Sequence, residues 1–421
     1  MAFVGLCDCN NFFVSCERVF RPDLEKRPVV VLSNNDGCIV ARSNEVKALG
    51  IKMGTPLYQV RDLVKRHGIT VFSSNYQLYG DMSQRVMSIL RQSSPGIEVY
   101  SIDEAFMNLD EMPLESLQPF ARNLSARIRR EVGIPVSIGI SHTKTLAKIA
   151  SKLCKQYPAL KGGCLMYRTQ DVEKVLGRFP VSDVWGIGRR SNAKLQAMGI
   201  TNALGYYNMP QEQVNYLFHL PGLRTWKELH GEPCIGFEDV QPDRQTVCIS
   251  RSFAKEMTTL EELDAAVSTF TSKVAEKLRA QGLCAQQMSV FILTNRFRED
   301  APQNYQIKTT LFGVATDDTL EMSERAALSL RQIFKSGYAY KKAGVMVTRL
   351  VPRRGVQSSM LDNIDRLRRA SLMETIDSIN KIEGNYTVRL ASQGEMDQFS
   401  ARTMTSRRFT TRWDEIIDVK V

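Results

Sequence analysis

No apolar run in this 421-residue chain approaches the roughly 20 residues that a helix needs to cross a bilayer. The N-terminus carries neither a charged leader nor a cleavage site, so no signal peptide is expected and the chain reads as cytoplasmic. Histidine is scarce, at four residues without metal-ligand spacing, which argues against zinc. The nine cysteines are scattered and form no C-x-x-C pair, so reduced, structural thiols are expected. Internal repeats are absent, and so are low-complexity tracts outside a basic C-terminal tail.

What is present is ordinary for a globular protein: 43% hydrophobic and 24% charged residues, over a length that points to about three domains. The formal net charge of +11 suits a polyanionic partner, and equally a merely basic surface.

The stretch Val99-Tyr100-Ser101-Ile102-Asp103-Glu104-Ala105-Phe106-Met107-Asn108-Leu109 is apolar on both sides and holds two adjacent carboxylates. Burying such a pair is costly without a compensating cation. It reads either as a solvated hairpin turn or as one edge of a site for a hard divalent metal, usually Mg²⁺. Phe3-Val4-Gly5-Leu6-Cys7-Asp8 is a second strand-length run, and it ends in one acid. A lone acid on one strand and a doublet on another can hold two ions that clamp the attacking and leaving oxygens of a phosphoryl transfer.

The run Asp8-Cys9-Asn10-Asn11-Phe12-Phe13-Val14-Ser15-Cys16-Glu17, with Tyr100-Ser101-Ile102-Asp103-Glu104-Ala105-Phe106 downstream, resembles the paired signature of the Y-family DNA polymerases. Within the family the chain is most similar to the bacterial polymerase V branch. The resemblance runs to about Pro352 and more weakly beyond. It implies an α+β, multidomain right hand with palm, small fingers, a helical thumb containing a helix-hairpin-helix, and a ferredoxin-like little finger. It also implies that Asp8, Asp103 and Glu104 are catalytic and bind two Mg²⁺, with the Cys9 carbonyl completing one shell. Phe13 matches the steric gate that excludes a 2′-OH by clash. Lys47 and Lys155, and more weakly Arg42, match bases that meet the triphosphate. Ala41 and Asn44 stand where a Thr and a Tyr often contact phosphates, so triphosphate binding would lean on Lys47 and other bases.

The expected boundaries are palm over 1–24 and 76–166, fingers 25–75, thumb 167–235, tether 236–246, little finger 247–352 and tail 353–421. In the fingers, Asp36-Gly37 between apolar runs signals a hairpin, and Ser43 can cap a helix through Leu49. In the palm, helices are expected over 79–93, 120–132 and from Ser141 to near Lys155, around a mixed sheet covered on one face. Lys148, Lys152 and Lys155 form a basic stripe, a pattern usually found on a solvated face. The thumb carries Gly186-Ile187-Gly188-Arg189-Arg190, a turn between helices whose N–H groups can reach a DNA phosphate.

Strands near 247–254, 287–294, 305–312 and 343–350, separated by helices near 260–281 and 317–336, give a β-α-β-β-α-β order. Arg251 and Arg296 lead a set of plausible phosphate contacts there. Gln357, Met360 and Leu361 resemble a sliding-clamp peptide, or alternatively a polar linker entering the next helix.

The whole reads as an error-prone, template-directed DNA polymerase acting on damaged templates in an SOS-type response, with primer-template DNA and dNTP as its ligands. By resemblance, a UmuD-like dimer and a RecA-like filament are further partners. Two rivals are an inactive DNA-binding scaffold of the same fold and a helix-hairpin-helix repair nuclease.

Overall fold

A computed structural model describes residues 2–237, 244–357, 359–384, 386–394 and 402–417. The middle of the expected tether therefore lies outside the described residues. The chain divides into two compact units, residues 1–241 with 403–421, and residues 242–402.

In the first unit, strand β1 (Val4–Cys9) runs into helix α1 (Phe12–Phe20). Strands β2 (Val29–Leu32) and β3 (Ile39–Arg42) form the hairpin that Asp36-Gly37 signals, with Asp36 at φ 51°. Helix α2 (Asn44–Ala48) starts at Ser43, whose hydroxyl accepts from the Val46 N–H. After α3 (Arg61–Arg66), strand β4 (Thr70–Ser73) pairs in parallel with β2, giving a small sheet β3-β2-β4 with its own core around Val30, Ile39, Val46 and Ile69.

Helix α4 (Tyr76–Ser93), strands β5 (Gly96–Val99) and β6 (Glu104–Asn108), helix α5 (Leu114–Val132), strand β7 (Val136–Ser141), helix α6 (Lys144–Gln156) and strand β8 (Gly163–Leu165) follow. The five strands order as β5-β6-β1-β7-β8. Helix α5 starts six residues ahead of the expected Phe120 and runs through Pro119. Proline removes one backbone donor there, and the helix continues because its apolar face (Leu117, Ala121, Leu124, Ile128) is buried.

The sheet is covered on both faces, not one. Strand side chains alternate with period two. Cys7 and Cys9 of β1 pack with Met82, Leu90 and Leu124 from α4 and α5. Val4, Leu6 and Phe106 pack on the other face with Ala147 of α6. Gly139 of β7 permits that approach, since a Cβ there would lie 2.1 Å from the Ser151 nitrogen on α6.

Helices α7 (Thr169–Leu176), α8 (Arg189–Ala197), α9 (Ala203–Tyr207) and α10 (Gln211–Leu229) complete the helical part, with α10 broken at His219 just ahead of Pro221. Their core (Leu176, Val181, Leu195, Tyr206) merges with Leu146 and Ile149 of α6.

The second unit holds β9 (Thr246–Met257), α11 (Leu260–Ala280), β10 (Leu283–Thr294), β11 (Tyr305–Thr316), α12 (Thr319–Ile333) and β12 (Tyr340–Pro352), in the β-α-β-β-α-β order expected. The antiparallel sheet orders as β11-β10-β12-β9. Its strands extend past the apolar runs because the ladders continue through polar residues: Lys342 of β12 pairs with Leu293 of β10 and Ser252 of β9, and Tyr340 beyond it pairs with Thr294 and Met257. Helix α13 (Arg366–Ile382) lies within the stretch read as a tail.

Candidate active site

Strand register assembles the acids. Asp8, near the end of β1, pairs directly with Glu104, the first residue of β6. Asp103 sits in the turn before it, and its carbonyl accepts from the Cys9 N–H at 2.9 Å. Ser101 clamps this turn. Its oxygen accepts from the N–H groups of Asp103 and Glu104 at 3.2 and 3.0 Å, and its hydroxyl donates to the Asp103 carboxylate at 2.6 Å. Three carboxylates thus come from adjoining backbone positions, on a scaffold whose strands are buried on both faces.

The same period-two alternation turns Asp8 and Glu104 toward α6, which answers with cations. The Lys155 ammonium lies 2.7 Å from Asp8, and the Lys148 ammonium 2.9 Å from Glu104. Lys152 reaches Asp183 instead. The lysine stripe is therefore not simply a solvated face: its members serve three separate acids. Lys148 is boxed by aromatic faces, 4.4 Å from the Tyr100 ring centroid and 5.1 Å from that of Trp185. Burial pushes the Asp8 carboxyl above its ordinary value, Lys155 opposes this, and Glu104 and Asp103 add to the rise.

Among the described residues no three Asp, Glu, His or Cys side chains are gathered as a ready metal cluster. The carboxylates of Asp8 and Glu104 are turned onto lysines. The donor set is nevertheless all oxygen and crowded with negative charge at Asp8, which suits a hard divalent cation.

Beside the acids, Asp8, Asp103, Phe13, Arg42, Lys47, Met53 and Lys155 line a cleft of about 240 Å³. The Phe13 ring stacks on Tyr79, centroids 4.5 Å apart and planes at 14°, with Tyr76 edge-on at 5.7 Å. Phe12, its neighbour in sequence, is core at 4% exposure. Lys47 donates to Asn11 Oδ1, and burial together with Lys155 and Arg42 lowers its pKa. The Arg42 guanidinium donates to the Ile51 carbonyl. A cleft where neighbouring cations destabilise the charge on Lys47 is ready for an anion.

Gly188 caps α8, and Arg189 and Arg190 are exposed at its start. Gly186, at φ 95°, is where a Cβ would fall 2.2 Å from the Thr225 hydroxyl oxygen, so the turn requires glycine. In the second unit Arg251 and Arg296 are exposed, and Arg296 lies over the exposed Phe297 ring. Gln357 is exposed, as are Met360 and Leu361, and the helix after them begins only at Arg366; Ser358 lies outside the described residues. Sequence reasoning missed two features. One is the carboxylate partner of Lys148: the stripe places this lysine on one face of α6, but its spacing does not name Glu104. The other is Glu17, fully buried in α1 with Tyr79 donating to it at 2.6 Å, which an acid on an otherwise apolar helix face could have flagged.

Comparison with known proteins agrees with this fold. The impB/mucB/samB family model matches residues 7–152, its C-terminal domain 244–360 and its helix-hairpin-helix motif 169–200; a domain of unknown function matches 370–419. Protein UmuC of Salmonella typhimurium is 39% identical over 99% of this chain and 100% of its own. Protein ImpB of the same species is 38% identical over 98% of each chain. A DNA polymerase IV of Desulfatibacillum aliphaticivorans is 26% identical over 91% of this chain and 95% of its own. Among solved structures, a Y-family DNA polymerase chimera aligns with a TM-score of 0.68 at 19% identity, over 83% of this chain and 99% of that one. With family models matched along most of its length, and 39% and 38% identity to UmuC and ImpB over nearly the whole chain, this chain belongs to the impB/mucB/samB family.

Proposed function

We propose that the chain is a template-directed DNA polymerase that inserts deoxynucleotides, at low fidelity, opposite damaged bases during an SOS-type response. The observation that carries this reading is the pairing of Asp8 with Glu104 beside Asp103, at the mouth of a cleft that also presents Phe13, Lys47 and Lys155. Asp8, Asp103, Glu104 and the Cys9 carbonyl would hold two Mg²⁺. Bound there, such ions would supply Lewis-acid chemistry, lowering the pKa of a primer 3′-hydroxyl and offsetting the charge of the triphosphate and the departing pyrophosphate. Lys47 and Lys155 neutralise phosphate charge. Arg42, tied to the Ile51 carbonyl, braces this wall. Phe13 offers a flat ring without hydrogen bonds under the sugar, so an added 2′-oxygen clashes.

Gly186, Gly188, Arg189 and Arg190 hold the duplex by its phosphates, as do Arg251 and Arg296, which positions DNA without reading its sequence. Gln357, Met360 and Leu361 dock a sliding clamp. A UmuD-like dimer is a further partner in this reading, drawn from the likeness to UmuC, and a RecA-like filament is proposed beside it.

The test is extension of a primer across an abasic template site with Mg²⁺ and dNTPs. Lengthening dependent on dNTP supports the reading. Shortening would point to a nuclease, and binding without either to an inactive scaffold.

A further inference from the structure

We infer that residues 403–412 form a strap that braces the sugar gate from behind, making Ser406 and Glu17 positioning residues for sugar selection; this rests on the reading of Phe13 as the gate. Besides its bond to Glu17, the strap is tied to the rest of the first unit at four places. The Thr403 N–H donates to Asp36 in the β2–β3 turn at 3.2 Å. Met404 exchanges hydrogen bonds with Ser73 at the end of β4, donating to its hydroxyl and accepting from its N–H. The Asn75 side chain donates to the Ser406 carbonyl, the Ser406 hydroxyl oxygen and the Arg407 carbonyl, while its own oxygen caps α4 at Leu78. The Phe409 ring stacks on Phe20 at the end of α1, centroids 4.7 Å apart and planes at 9°.

These ties converge on the gate. Ser406 donates to Glu17 Oε1 at 3.0 Å, and Tyr79 donates to that same oxygen at 2.6 Å. Tyr79 carries the ring on which Phe13 stacks, and Phe13 and Glu17 lie one helical turn apart on α1. Glu17 Oε2 is buried without a hydrogen-bond partner among the described residues, so the two hydroxyls on Oε1 are the bonds that hold this carboxylate. Asn75 sets the start of α4, the helix that brings Tyr76 and Tyr79 to the gate. A strap that grips both Asn75 and Glu17 restrains the stacked ring from two directions. A restrained Tyr79 leaves Phe13 no room to recede from an extra oxygen on the incoming sugar.

The experiment compares kcat/KM for dNTP and rNTP insertion by the full chain under conditions that support wild-type extension. Ser406→Ala and, independently, Phe409→Ala should relax the dNTP/rNTP ratio about fivefold, the worth of roughly one hydrogen bond, with dNTP insertion within about twofold of wild type. Ser406→Thr, which keeps the hydroxyl, should restore the ratio. Phe13→Ala is the reference and should collapse it. A ratio unchanged in both strap variants while Phe13→Ala collapses it overturns the strap alone. A ratio unchanged in Phe13→Ala overturns the gate and the strap with it. Equal loss of dNTP and rNTP insertion in the strap variants would also overturn the inference, because a merely structural strap would act on both sugars alike.

Discussion

Replacing Glu17 by Gln should change how stability depends on pH. Glu17 is fully buried, accepts from Tyr79 and Ser406, and feels the charge of Arg21. Burial outweighs these and pushes its carboxyl from the ordinary 4.5 up to about 6. The folded state therefore binds this proton more tightly than the unfolded chain does. Its contribution to stability is complete below pH 4.5 and is lost as pH rises through 6. A shift of that size corresponds to about 2 kcal/mol between the two limits. Urea unfolding of wild type and Glu17→Gln at pH 4.5 and 7.5 isolates the effect, because other titrating carboxyls, such as Asp8, cancel in the difference. Glutamine should gain about 2 kcal/mol on wild type on going to the higher pH. A difference between the two proteins that stays flat across that range would show that Glu17 is not held in a desolvated site.

Primer-template affinity should fall steeply with salt, by about one log unit per log unit for each phosphate contact, because exposed arginines lie on both units; a slope near zero in a filter-binding or anisotropy titration would contradict the electrostatic grip. Changing Gln357, Met360 and Leu361 together to Ala should weaken binding to a bacterial sliding clamp and spare clamp-free extension. Unchanged clamp affinity, or an equal fall in clamp-free synthesis, would remove this segment as the ligand.

Much of the site was legible because strand parity is local. Once Val4–Cys9 and Glu104–Asn108 are strands, register alone places Asp8 opposite Glu104. The hairpin at Asp36-Gly37, the Ser43 cap and the strand-helix order of the second unit follow from turn and cap chemistry in the same local way. Contacts of long sequence separation were not legible. Ser406 meets Glu17 across nearly the whole chain, and no periodicity in either segment announces it. The stretch from 403 on reads as a basic tail, since its arginines hide Phe409, whose ring stacks on Phe20 of α1. Pro119 misled for a different reason: helix propensity is weak beside a buried apolar face, so a proline that would stop an isolated helix is carried inside α5.

The most direct measurement is Mg²⁺-dependent primer extension by Asp103→Ala beside wild type, with DNA binding followed in parallel. Asp103 sits in the turn just before Glu104 and is held by Ser101, with no lysine paired to it among the described ion pairs. Its removal should abolish dNTP incorporation and leave primer-template affinity intact. Wild type that adds nucleotides while Asp103→Ala adds none is the result the account predicts; insertion by Asp103→Ala at a rate near that of wild type would contradict it.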